Sequence, residues 1–251
     1  MKKIIFVIES MNVGGTEKAL LSMISEIPKD KFDITIFILE RRGGFLKSIP
    51  NYINIKFYDE YENIKNNIIK NPRDLLKNEI KEKKYIEALK TIFYQGLSRI
   101  TKNYNIYFNN KIVKKIKDIP GEYDLAVSYQ GPPSNFSAYL VLNKIKANNK
   151  VQWIHSDVSK LNLDIKTIRC LYKYFDKIFV VSNEAKNNFI KIFPTFKNKT
   201  NVIFNIINKE LILEESTKKI GFKDKFDGFR ILTVGRLSGE KRTSINYTNF
   251  G

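Results

Sequence analysis

Short apolar runs that alternate with longer helical patterns are the feature of this sequence that most restricts its fold. Seven such runs precede residue 209: KKIIFVIE, FDITIFILE, INIKFY, YDLAVSYQ, KVQWIH, KIFVVS and NVIFN. Runs of this kind, rich in β-branched and aromatic residues, are typical of strands that are buried on both faces. Strands that alternate with helices form parallel sheets. The sequence therefore predicts an α/β fold with a doubly wound, Rossmann-like parallel sheet.

The segment between the third and fourth runs, Pro72–Lys117, is charged and poor in strand signals. Its pattern predicts two helices with a break near Gly96 to Asn105. Because these helices are basic and amphipathic, the segment is the part of the chain best suited to face a membrane. The alternative is an ordinary solvated helical face.

A change of composition after NVIFNIIN indicates a domain boundary. We expect an N-terminal domain over residues 1–208 and a polar linker over residues 209–228. The apolar run FRILTVGRL then opens a second domain in residues 229–251, which contain little more than its first strand. The second domain is therefore expected to be nearly absent, as in a truncated chain.

The composition excludes several classes of site. The single cysteine, Cys170, excludes an internal disulfide and a cysteine-based zinc site, and the single histidine, His155, excludes a histidine-rich metal site. No segment has the ~18 to 20 apolar residues of a transmembrane helix, and the run Ile4–Ile8 is too short for a secretory signal. We expect a cytoplasmic protein. The formal charge of +18 suits an anionic membrane or nucleic acid, although evenly spread lysines also arise from composition alone.

The first candidate site is the turn after the first strand, where Gly14 and Gly15 precede a helical pattern. A helix start at the carboxyl edge of a parallel sheet presents free N–H groups to an anion, and glycine lets a diphosphate approach the backbone. A simple turn explains the same residues. A dinucleotide site is a further alternative, since Glu40 ends the second strand, but the fingerprint G-x-G-x-x-G fails here at most positions.

Two more candidates also follow strands. His155 comes after KVQWI and is followed by Ser156 and Asp157. Arg236 and Lys241 follow the strand pattern ILTVG, and a guanidinium with an ammonium group suits the binding of a diphosphate without a metal. Each of these residues also has an ordinary structural explanation when it is considered alone.

The order of the motifs is more specific than any one of them. GGTEKALL, WIHSD, FDKIFVVSNEAKNNF, NVIFNIIN and ILTVGRLSGEK follow one another along the chain. This series resembles the family-4 glycosyltransferases, which are retaining enzymes of the GT-B fold. The resemblance extends from Lys2 to Lys241.

The resemblance implies a function and a set of site residues. Gly14 and Gly15 would lie near the diphosphate of a nucleotide-sugar donor, and His155 would contact the donor sugar beside the reacting carbon. Arg236 and Lys241 would bind the diphosphate and stabilise it as it leaves. No metal or other cofactor is implied. The acceptor would be a glycan or a lipid-linked glycan at the inner face of the cell membrane, as in the synthesis of surface polysaccharides.

The chain departs from the family pattern in its last part. Family members carry a Glu-x7-Glu pair in the C-terminal domain, which is almost entirely missing here. Two pairs match by spacing alone, Glu9 with Glu17 and Glu79 with Glu87, and both are interpreted as coincidental. The chain as given is therefore expected to be weak or inactive as an enzyme, and the alternative function is a non-catalytic module that binds an acceptor or a membrane. A role in binding nucleic acid is less favoured, because no aromatic and basic binding motif accompanies the charge.

Overall fold

The computed structural model describes residues 1–62, 64–65, 72–103, 105–218, 221 and 226–230. In these ranges seven strands form one sheet, in which every neighbouring pair is parallel and the spatial order is β3-β2-β1-β4-β5-β6-β7. The strands are β1 (Lys2–Ile8), β2 (Phe32–Ile38), β3 (Asn54–Phe57), β4 (Ile119–Ser128), β5 (Ile145–Ile154), β6 (Lys177–Val180) and β7 (Thr200–Val202). Each predicted apolar run contributes a strand. The predicted α/β fold with a doubly wound parallel sheet is confirmed.

Helices lie on both faces of this sheet. Those in the described ranges are α1 (Gly15–Glu26), α2 (Pro72–Lys81), α3 (Tyr85–Ile100), α4 (Asn105–Lys111), α5 (Phe136–Lys144), α6 (Ile165–Tyr172), α7 (Asn183–Ile192) and α8 (Lys209–Thr217). Helix α1 packs on one face through Leu20 and Ile24, and helices α5, α6 and α7 pack on the other face. The two faces are thus covered by different crossover connections.

Strand β1 shows why these runs form the centre of the sheet. Phe6 and Ile8 belong to the core beneath α1, whereas Ile5 and Val7 belong to the core on the opposite face. Successive side chains of a strand point to opposite faces, so a strand covered on both sides needs apolar residues at every position.

The turn that follows β1 is held by the turn that follows β2. The Met11 N–H donates to the Arg42 carbonyl at 3.1 Å, and the Phe45 N–H donates to the Met11 carbonyl at 2.9 Å. Gly43 lies between them with a φ of +133°, and a Cβ there would overlap the backbone of Met11. The turn therefore requires glycine at this position, and it fixes the path of the chain from β1 towards α1.

The prediction of two helices in Pro72–Lys117 is wrong in number, because three helices occur there. The predicted break near Gly96 to Asn105 is confirmed, since α3 continues through Gly96 but ends at Ile100 and α4 begins at Asn105. The first break falls at Lys83, whose φ is +58°, and there the Lys84 N–H donates to the Glu79 carbonyl at 2.8 Å. This hydrogen bond is typical of a helix that ends in a left-handed residue. Because that residue is lysine and not glycine, the sequence gives no clear signal for the break.

The chain divides into two compact units, Met1–Lys209 and Glu210–Gly251. The first unit contains the whole sheet. The described part of the second unit consists of the rest of α8, residues 218 and 221, and residues 226–230, so most of the predicted strand FRILTVGRL lies outside the described residues. None of the described helices combines the length and the apolar character needed to cross a membrane.

Candidate functional site at the carboxyl edge of the sheet

The topology of the sheet creates a crevice between β1 and β4. From β1 the chain moves through β2 to β3 in one direction, and from β4 it moves through β5 and β6 to β7 in the other. The crossover helices therefore leave the carboxyl ends of β1 and β4 towards opposite faces. In open α/β sheets, ligands bind outside the carboxyl ends of the strands at such a switch point.

Gly14 and Gly15 lie at this edge, at the start of α1. Gly14 is the N-cap residue, with an extended backbone (φ −149°, ψ 167°) and no capping side chain. Its carbonyl accepts the Lys18 N–H at 3.0 Å, which is the first hydrogen bond of the helix. A Cβ on Gly15 would meet nothing within 4 Å, so packing alone does not require glycine there. The second glycine leaves the helix start open on its outer side.

The carboxylate of Glu17 folds back over this helix start, and a Cβ on Gly14 would collide with its Oε2 atom. Partial burial raises the pKa of Glu17, the residue's own backbone N–H opposes the rise by donating to the carboxylate, and the Glu9 carboxylate adds to the rise. An acidic side chain in the first turn is favourable because the helix start is positive. The chain thus places a carboxylate of its own at this helix start. Sequence reasoning missed this role of Glu17.

Glu9 leads out of β1 into the same crevice and is tied to Gln130, which follows β4. The Glu9 N–H donates to Gln130 Oε1 at 3.0 Å, and Gln130 Nε2 donates to Glu9 Oε2 at 3.2 Å. The Tyr61 hydroxyl donates to the other carboxylate oxygen at 3.4 Å. Burial raises the pKa of Tyr61, with the Glu9 carboxylate as the next cause. These contacts join the ends of the two strands that form the crevice.

His155 follows β5, next to β4 in the sheet. Its imidazole lies 4.4 Å from the ring of Tyr129 and stacks nearly parallel to Trp153, at 6.0 Å and 5°. Both ring nitrogens are buried, and neither has a hydrogen-bond partner among the described residues. Burial lowers the pKa of His155 to about 4, so the imidazole is neutral at neutral pH.

An unpartnered buried imidazole is unusual, because most buried polar groups in proteins form hydrogen bonds. The indole Nε1 of Trp153, whose residue is 6% exposed, likewise has no partner in the part of the chain that is described. A neutral imidazole offers one donor and one acceptor. His155 therefore has one unused donor and one unused acceptor, and a polar, uncharged ligand group such as a sugar hydroxyl would have to open access to these buried nitrogens in order to bind them.

The predicted site residues fall into two groups. Gly14 lies six residues after the end of β1 and His155 directly follows β5, so both lie at the carboxyl edge of the sheet, on either side of β4. Arg236 and Lys241 lie outside the described residues. The two glycines and the histidine thus share one edge, and the placement of the two cations stays a prediction.

Glu40 does not offer a ribose-binding carboxylate. It is 2% exposed and makes ion pairs with Arg42 and Lys65. A dinucleotide site needs an acid at the end of this strand that is free to accept hydrogen bonds from a ribose. The pairing of Glu40 removes the residue on which that alternative depended.

A separate cavity of about 250 Å³ lies among α2, α3 and α4. Lys111 lines this cavity and is 8% exposed. Its Nζ donates to Glu79 Oε1 at 2.8 Å and to Glu87 Oε2 at 2.9 Å. Hydrogen bonds, first from Lys90 and then from Lys111, lower the pKa of Glu87 to about 2. The pair Glu79 and Glu87 therefore serves to neutralise a buried lysine, and these charges are satisfied within the chain.

No protein-family model matches the chain, and no curated protein matches it. The described residues contain no group of three or more histidine, cysteine, aspartate or glutamate side chains placed to hold a metal ion. The resemblance to family-4 glycosyltransferases accordingly remains a prediction from the sequence motifs.

Proposed function

We propose that this chain is a retaining glycosyltransferase of the family-4 type. It would transfer a sugar from a nucleoside-diphosphate donor to a glycan or lipid-linked acceptor at the inner face of the cell membrane. The observation that carries the proposal is His155, a buried neutral imidazole with both nitrogens unpartnered among the described residues. It lies at the sheet edge that also carries the open helix start at Gly14.

The chemistry of the transfer explains the need for these groups. The bond between the anomeric carbon and the diphosphate breaks, the acceptor hydroxyl oxygen bonds to that carbon, and the hydroxyl proton passes to the departing diphosphate. Positive charge develops on the sugar and negative charge on the leaving group. Groups that favour this separation of charge more in the transition state than in the ground state accelerate the reaction.

Each predicted site residue has a role in this proposal. His155 hydrogen-bonds a donor sugar hydroxyl through an uncharged ring, so it adds no positive charge beside the developing oxocarbenium ion. The N–H groups of α1 near Gly14 and Gly15 face the diphosphate after Glu17 has moved away. Arg236 and Lys241 neutralise the diphosphate as it leaves, the role that the sequence resemblance implies for them.

The remaining groups of the crevice suit a carbohydrate acceptor. The Glu9 carboxylate and the Gln130 amide, which are both partly exposed, can hydrogen-bond the hydroxyl groups of a sugar. The Glu9 carboxylate favours a neutral polyol beside it, whereas the diphosphate of the donor would lie at the start of α1 after Glu17 has moved away. This division supports an acceptor-side role for the unit Met1–Lys209.

A transfer assay tests the proposal. The purified chain is incubated with a panel of nucleoside-diphosphate sugars and a lipid-linked glycan, and both the free nucleoside diphosphate and the mass of the acceptor are measured. We expect weak transfer by this chain alone and stronger transfer when a nucleotide-sugar-binding C-terminal domain is joined to it. In the joined protein, His155→Ala should reduce transfer by about a hundredfold. Tyr174 is an exposed aromatic residue that follows α6, and Tyr174→Ser is the control that should keep full activity. A failure of the joined protein to release nucleoside diphosphate from any donor, or full activity of its His155→Ala variant, would contradict the proposal.

A non-catalytic module that binds a membrane is the second candidate function. It is favoured by the exposed apolar face of α3, which is described below. This candidate predicts binding to vesicles without affinity for any nucleotide sugar. Sugar transfer by the chain would rule it out as the whole function.

A further inference from the structure

Helix α3 has its apolar side chains on the outside. Its buried residues are small or polar: Ala88, Thr91 and Ser98. Its exposed residues include six large apolar side chains, each more than half exposed: Tyr85, Ile86, Leu89, Ile92, Phe93 and Ile100. A surface helix of a globular protein normally turns its apolar stripe towards the core. Helix α3 does the reverse.

The inward face of α3 is fixed by polar contacts, so the orientation of the helix is well determined. The Thr91 hydroxyl donates to Glu79 Oε2 at 2.7 Å, and the Ser98 hydroxyl donates to the Asn103 carbonyl at 2.9 Å. The Glu87 carboxylate and its backbone carbonyl both accept hydrogen bonds from Lys111. Rotation of α3 to bury its apolar side chains would break all of these contacts.

The six exposed side chains form one continuous surface. At 3.6 residues per turn they fall within an arc of about 120°. Lys90 borders the arc on the side of Ile86, and Arg99 borders it on the side of Ile92. The arc spans the length of the helix, whose 16 residues cover about 24 Å. An exposed apolar surface of this extent on a protein normally marks an interaction site.

The charge around α3 identifies the chemistry of the partner. The segment Pro72–Lys117 contains twelve Lys and Arg and four Asp and Glu, which gives it a formal charge of +8. The sequence KEKK at 81–84 immediately precedes the helix, and Lys102 follows it. A second copy of the same surface would bring two such segments together and would be repelled. An anionic lipid surface is complementary to both the apolar arc and its basic border.

We propose that the outer face of α3 is a membrane-docking surface that lies in the plane of an anionic lipid bilayer. Leu89 and Phe93, near the middle of the arc, insert among the acyl chains. The lysines and arginines at its border lie at the level of the lipid phosphates. This inference is independent of the proposed donor site, because it rests on none of the residues at the carboxyl edge of the sheet.

Vesicle co-sedimentation tests the surface directly. The wild-type chain is expected to bind vesicles of equal parts phosphatidylcholine and phosphatidylglycerol, and to bind pure phosphatidylcholine more weakly. The double variant Leu89→Ser, Phe93→Ser is expected to lose affinity by at least about tenfold, because two large apolar groups no longer insert. Both positions are exposed, so the variant should keep the circular dichroism spectrum of the wild type.

A matched control changes two exposed aromatic residues elsewhere, Tyr52→Ser and Tyr174→Ser, which are 47% and 62% exposed. It should bind vesicles like the wild type. A Phe93→Trp variant should also bind vesicles. The fluorescence emission of its added tryptophan should shift to shorter wavelength on anionic vesicles, whereas the emission of Trp153 in the wild-type chain should not shift.

Three results would overturn the inference. The first is a wild-type chain that does not bind anionic vesicles, and the second is a Leu89, Phe93 double variant that binds as well as the wild type. The third concerns sedimentation equilibrium without lipid. It is the finding that the wild-type chain is a dimer and the double variant a monomer, and that neither protein binds vesicles. Because nucleotide-sugar binding is measured separately, a failure here is distinguishable from a failure of the proposed donor site.

Discussion

The imidazole of His155 lies 4.4 Å from the ring of Tyr129, and both of its buried nitrogens lack a hydrogen-bond partner among the described residues. The strand order places it one strand away from β4 and two strands away from β1. A buried polar group therefore remains without a hydrogen bond at the edge where open α/β sheets generally bind ligands, and a hydrogen-bonding ligand would offset the resulting loss of stability.

The stability of the protein should depend on the protonation of His155. Burial lowers its pKa from 6.5 to about 4, so between these values the unfolded chain binds a proton that the folded chain does not. The free energy of unfolding should therefore fall as the pH drops through this window, by up to about 3 kcal/mol. Urea unfolding at pH 7 and pH 4.5 measures this change.

The control for that experiment is His155→Gln, which keeps a polar side chain but cannot titrate. All other groups are shared, so the difference in pH dependence between the two proteins isolates the imidazole. Equal pH dependence in both proteins would show that His155 is solvated and not buried.

Removal of the charge at Glu17 should strengthen the binding of a diphosphate. The Glu17 carboxylate occupies the start of α1, so Glu17→Gln removes a competing anion. The raised pKa of Glu17 shows that its ionised carboxylate is disfavoured in the folded chain, so the substitution should not lower the stability of the protein. Calorimetric titration with inorganic pyrophosphate measures the affinity.

Glu26→Gln provides the matched comparison, since it removes the same charge at the other end of the same helix. Its effect on pyrophosphate binding should be small. Equal gains in the two variants would show that net charge, and not the helix start, controls the binding.

Gly14 and Gly15 should respond differently to alanine. Gly15→Ala meets open space in the first turn of α1 and should stabilise the fold by up to about 1 kcal/mol. Gly14→Ala places a Cβ against Glu17 and forces that side chain to move, so it should bring no such gain. Thermal unfolding of the two variants side by side gives the difference, and a destabilised Gly15→Ala protein would contradict the open helix start.

Lys111 should be essential for the stability of the helical segment. Lys111→Ala leaves Glu79 and Glu87 without their buried cation, and we expect a loss of about 3 kcal/mol or more. The exposed Lys90 also pairs with Glu87, but Lys90→Ala should cost less than about 1 kcal/mol. Urea unfolding of both variants distinguishes the two lysines, and similar losses would refute the difference in burial.

The sheet could be predicted from the sequence because its strands are covered on both faces. A run such as IIFVI contains no polar residue that could face solvent, so it fits few environments other than the centre of a layered fold. The placement of His155 and Gly14 at one edge follows from the same rule, since the carboxyl ends of parallel strands meet there.

Other features could not be predicted, because they depend on tertiary contacts between residues that are distant in sequence. The pattern of α3 indicates an amphipathic helix but does not indicate which face is buried. The buried face is determined by the contacts of Lys111 with Glu79 and Glu87. Similarly, nothing in the local sequence indicates that Glu17 folds over the start of its own helix. The spacing of the two glutamate pairs can be read from the sequence, but the residues that contact these glutamates cannot.

The central claim is that His155 contacts a nucleotide-sugar donor, and its ring nitrogens report on this directly. It is the only histidine in the chain, so its ¹⁵N signals in a nitrogen-labelled sample are assigned without ambiguity. Titration with a panel of nucleoside-diphosphate sugars should shift these signals and saturate with at least one donor, while the free nucleoside should leave them unchanged. Signals that stay fixed with every donor, in a protein that remains folded, would contradict the account.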